Sequence, residues 1–232
     1  MESKKEKFAI LSNIVIDKLE GGYYHPNMKL RNPKKFAKMG NSGETMFGID
    51  RVHGDEINKT PAGLKFWQII DNANAKNIWP WLYMGGNLES ELKKLVVEII
   101  YPEFLKLEKR FLSKQAQELI QTDNRLFFHF IYATWNGSGW FQKFATDFSD
   151  KIASGETNIN NLVKYLNDLR TKEGLRRGSP PNSLIKQGGE KIKQFLESLQ
   201  NSEIVQTATK GAPLILLVLL TIYLFKTKFN YA

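Results

Sequence analysis

The residues with the clearest chemical potential are Glu20-Gly21-Gly22-Tyr23-Tyr24. Glu20 closes an apolar helical stretch, where a carboxyl meets the negative end of the helix dipole. Neighbouring apolar surface adds a desolvation penalty, so both effects favour the protonated acid. Such a group suits general-acid cleavage of a glycosidic bond, which needs a proton held near neutral pH. The two glycines leave the carboxyl open at a cleft. The competing reading is a solvated helix-end glutamate without chemistry. A second block, Asn41 to Asp50 (NSGETMFGID), combines a small-residue turn, the Thr45 hydroxyl and a short strand. It reads as the opposing wall of a cleft.

Taken together, EGGY and SGETxxGID resemble the EGGY glycoside hydrolases, the family 108 N-acetylmuramidases of phage and bacterial endolysins. The family pattern is roughly E-G-G-Y, a short spacer, then G-G-x-T-x-x-G-I. Downstream, Phe66 to Asp71 is similar to the family's tryptophan-containing helix, and Leu92 to Val96 with Phe104 to its next one. Leu126-Phe127 through Asn136-Gly137 resembles the start of the peptidoglycan-domain segment often paired with it. The likeness covers about residues 8–170.

The resemblance implies that Glu20 is the catalytic acid and that Thr45 works beside it, with Ser42 and Gly43 as the small residues of the second block. Two departures stand out. Glu20 and Thr45 are 45 − 20 = 25 positions apart, longer than usual, so Tyr24–Met39 looks like an insertion. Where the family often carries an aspartate before the glycine pair, this chain has Gly40 and Asn41. A two-carboxylate glycosidase needs its second carboxyl ~5–9.5 Å from the first. Glu44, Asp50 or neither fills that role. With neither, Thr45 or Ser42 would hold a water, or the substrate's own group would attack and leave an anhydro end, as in lytic transglycosylases. Ser42, Tyr23, Tyr132 and Asn136 are the substrate-binding candidates. Tyr24, Trp135 and Trp140 are also of sugar-stacking type, although aromatic stripes on apolar helices are commonly core. No cofactor and no metal site is implied.

Helices must position these groups. Phe8, Leu11, Ile14, Val15 and Leu19 predict a helix over 8–20, stopped by Gly21-Gly22. Met46, Phe47 and Ile49 predict a short strand. Pro61–Asn74 predicts a helix presenting Leu64, Trp67 and Ile70. Leu88–Ile100 predicts another, interrupted at Pro102 and resumed over Phe104–Leu112. Arg125–Trp135 is strongly apolar and breaks at Asn136-Gly137. Helices over about Trp140–Ile152 and Ile159–Arg170 follow, then a loop from Gly174 to Pro181. The fold class is mainly α: a lysozyme-like α+β body with a small β element, then a C-terminal transmembrane helix. The expected organisation is a body over 1–182 (a catalytic lobe at 1–90, a helical lobe at 91–182), an amphipathic stalk at 183–203 and an anchor at 204–228.

The anchor rests on Ala212–Phe225 (APLILLVLLTIYLF), which carries no charge and is flanked by Lys210, Lys226 and Lys228. At ~1.5 Å per residue the run covers roughly 21 Å. It reaches the ~30 Å of a bilayer core if the helix starts near Ile204 and the lysines snorkel. The alternative is a buried terminal helix. The first residues, MESKKEKFAI, have no apolar region or cleavage site and do not read as a secretory signal.

Composition narrows the rest. The chain has 232 residues and no cysteine, which excludes disulfides, thiolate zinc sites and cysteine nucleophiles. Its 33 Lys and Arg against 24 Asp and Glu give a net charge of +9. The basic residues are scattered and match no nucleic-acid motif, so no nucleic-acid partner is expected. Attraction to anionic cell wall or lipid fits better. The expected partners are peptidoglycan, the lipid bilayer and other virion proteins. The expected function is a membrane-anchored, virion-associated lytic muramidase held in a virion's internal membrane or the host inner membrane. The alternatives are a catalytically silent virion component that keeps the lysozyme fold, and a tail that perturbs membranes on its own.

Overall fold

The computed structural model describes residues 3–17, 23–24, 44–52, 55–75, 87–176 and 197. The chain divides into two compact units, Met1–Leu169 and Arg170–Ala232. Of the second unit, residues 170–176 and 197 are described. The expected anchor over 204–228 and all of the stalk except residue 197 lie outside the described residues. Among the described residues, no helix is long and apolar enough to cross a membrane.

The elements in chain order are α1 (Lys4–Val15), β1 (Tyr23–Tyr24), β2 (Thr45–Met46), β3 (Ile49–Asp50), α2 (Asp55–Asn58), α3 (Pro61–Ala75), α4 (Asn87–Phe111), α5 (Lys114–Thr122), α6 (Asn124–Trp135), α7 (Ser138–Ala153) and α8 (Ile159–Arg176). The fold is mainly helical with one small sheet, as the hydrophobic periodicity predicts.

Helix α1 begins earlier than the apolar pattern indicates. Ser3 accepts from the Glu6 amide, and the Glu6 carboxylate accepts from the Ser3 amide, a complete capping box. The helix buries Phe8, Leu11 and Val15. Its Lys4 ammonium reaches both Glu108 carboxylate oxygens on α4, at 2.6 and 2.5 Å. Phe8 packs on Phe104 with ring centroids 5.2 Å apart, and Phe104 meets Phe127 edge-on at 5.4 Å. Phe130 of α6 meets Phe141 and Phe148 of α7 at 5.5 and 5.3 Å. Each ring withdraws large apolar area from water, and the offset and edge-on pairs add roughly 0.5–1.5 kcal/mol apiece.

Three expectations need correction, and one helix was not expected. Helix α4 runs unbroken through Pro102. Pro102 is exposed, while Val96, Ile99, Ile100, Phe104 and Leu107 are buried on both sides of it. Tertiary packing therefore overrides the lost hydrogen bond of about one turn. On α3, Leu64 is 61% exposed. The buried face is Phe66, Trp67, Ile70 and Ala73 together with Gly63, which follows helical spacing from Gly63 and leaves Leu64 one step off it. Helix α5, unforeseen, is capped by Ser113 and buries only Ala116 and Ile120, a stripe too narrow to stand out in sequence. Helix α8 continues through Gly174 to Arg176 instead of ending near Arg170. Arg176 forks onto Glu173 in that last turn, at 2.6 and 2.8 Å.

The sheet has the order β1-β2-β3, antiparallel throughout. Tyr23 pairs with Met46 and Tyr24 with Thr45. Thr45 pairs with Asp50 and Met46 with Ile49. Two-residue strands cannot stand alone, so the helices around them must hold this sheet.

Candidate functional site

The sheet joins the two blocks that attract attention in sequence. Strand β1 is the tyrosine pair that follows Glu20-Gly21-Gly22, and β2 carries Thr45. Their pairing sets Tyr24 directly opposite Thr45.

The β2–β3 hairpin turns on Phe47 and Gly48, both with positive φ, at 52° and 76°. A two-residue turn of this hand matches the twist of its strands. Glycine adopts it freely, whereas a phenylalanine there is strained by roughly 1–2 kcal/mol. The turn persists because Phe47 is fully buried and its carbonyl accepts from the Trp135 indole at 3.1 Å. The hairpin tip is thereby fixed to the C-terminal turn of α6.

Alternation along the strands sorts the candidate residues onto two faces. Tyr23, Glu44, Met46 and Ile49 are all buried. Thr45 and Asp50 occupy the other face and are half-buried. Tyr23 and Thr45, both singled out in sequence, therefore point in opposite directions.

On the inner face a charge cluster fixes the sheet. The Tyr23 hydroxyl donates to Glu44 Oε1. Arg51 donates to Glu44 Oε2 at 2.7 Å and forks onto both Asp71 oxygens at 2.7 Å. Its guanidinium lies over the Trp67 ring, 4.9 Å from the centroid. Asp71, and after it Glu44, raise the Arg51 pKa still further against partial desolvation. Asn58 completes the assembly: it donates to the carbonyls of Asp50 and Arg51 at 2.9 and 3.0 Å and accepts from the Trp67 indole at 2.9 Å. Gly63 allows α2 and α3 to meet, because a Cβ there would stand 2.3 Å from the Ile57 carbonyl oxygen.

These partners were not foreseen. The available signal was Trp67 and Asp71 one helical turn apart, an aromatic face and a carboxylate that together accept an arginine. Glu44 is thus ion-paired with Arg51 and accepts from the Tyr23 hydroxyl. Asp50 Oδ1 accepts from the Val52 amide at 2.7 Å.

The helical candidates sit at the end of α6 that meets the hairpin. Tyr132 is half-buried and lies beside Phe128, with centroids 6.3 Å apart. The Asn136 amide nitrogen donates to the Tyr132 carbonyl at 2.8 Å, a local helix-end contact. Trp135, considered only as a sugar-stacking type, instead anchors Phe47. Glu20 and Ser42 lie outside the described residues. Among the described residues, no cluster of His, Asp and Glu could hold a metal ion. No protein-family model, no curated protein and no solved structure matches this chain.

Proposed function

We propose that the chain is a peptidoglycan-cleaving muramidase acting on the β-1,4 bond between N-acetylmuramic acid and N-acetylglucosamine. Glu20 donates the proton to the leaving oxygen and Thr45 lines the opposite wall. One observation carries this reading: the residues after Glu20 pair as a strand with the Thr45 strand, although about twenty positions separate them in sequence. The EGGY and GETxxGI blocks become neighbours through backbone hydrogen bonds, as a shared site requires.

The body belongs, in this proposal, to the lysozyme-like α+β class and to the EGGY glycoside hydrolases. The C-terminal apolar run anchors it to a bilayer, in a virion or at the host inner membrane, where the net charge of +9 favours an anionic wall.

Zymography on embedded cell walls tests the reading, with the full chain in detergent beside Glu20→Gln. Clearing by the first and not the second supports it. Equal clearing rejects Glu20 as the acid, and no clearing by either rejects the enzyme and leaves a structural virion role. Mass spectrometry of the released fragments then separates a reducing end from the anhydro end of a transglycosylase.

A further inference from the structure

We draw no further inference here: the strongest candidate, the open groove between α1 and α4 lined by Lys5, Asn13, Ser90, Lys94 and Glu98, is walled by exposed side chains with charges of both signs, and nothing in the structure shows what covers it.

Discussion

The Trp135 indole donates to the Phe47 carbonyl at 3.1 Å across 88 positions of sequence. It ties the end of α6 to the strained turn between β2 and β3. The turn's φ of 52° at Phe47 is therefore imposed by tertiary structure on a residue that disfavours it.

This gives an unusual ordering of two substitutions. Phe47→Ala removes a fully buried ring and keeps the backbone strain, for a loss of about 3–5 kcal/mol. Phe47→Gly removes the same ring but relieves the strain, worth roughly 1 kcal/mol. Glycine should be the milder change. Denaturant unfolding of both variants decides it, and alanine proving equal or milder would mean the turn is not strained.

Arg51 is the hub of the inner face, and its removal strands a buried carboxylate. Breaking a buried pair costs ~3–5 kcal/mol, and with the Arg51 side chain 37% exposed the loss should fall nearer about 2 kcal/mol. Arg51→Met should thus unfold well below wild type. Adding Glu44→Gln removes the orphaned charge and should recover part of the loss. A double variant less stable than Arg51→Met would contradict this account.

Gly63 fills no turn and shows no positive φ, yet it tolerates no side chain. A Cβ would meet the Ile57 carbonyl oxygen at 2.3 Å and the Asn58 Cα at 2.8 Å, both backbone atoms with little freedom to yield. Gly63→Ala should cost about 1–3 kcal/mol by overpacking, although alanine is the better helix former. It should also slow any cleavage, because Asn58 holds the carbonyls of Asp50 and Arg51.

How far the fold was legible follows from these cases. The apolar stripes of α1 and α7 announce themselves because their burial is one-sided and periodic, and α6 does so as a continuous apolar run buried nearly all round. Pro102 misleads, since propensity is local while the apolar burial on both sides of it is not. The pairing of Tyr24 with Thr45 is invisible to periodicity, because two-residue strands carry no pattern. Thr45 as a catalytic candidate and Tyr23 as a substrate-binding one are expected at one site, yet a period of two puts them on opposite faces. The Arg51–Asp71–Trp67 cluster is a contact between elements, and only the i, i+4 spacing of Trp67 and Asp71 hinted at it.

The capping box of α1 predicts a pH dependence with a definite sign. The Ser3 backbone amide, and then its side chain, hold the Glu6 carboxyl below its ordinary value of 4.5. A carboxyl lowered in the folded state binds fewer protons there than when unfolded, so stability rises with pH across that interval. Its contribution is full above about pH 4.5 and is lost as pH falls through the lower folded value. Wild type should therefore melt above Glu6→Gln at pH 7, and the gap should narrow as the pH is taken progressively below 4.5. Thermal melts at pH 7 and through the acid range measure this directly, and a gap that persists unchanged in acid would show that the carboxylate does not cap the helix.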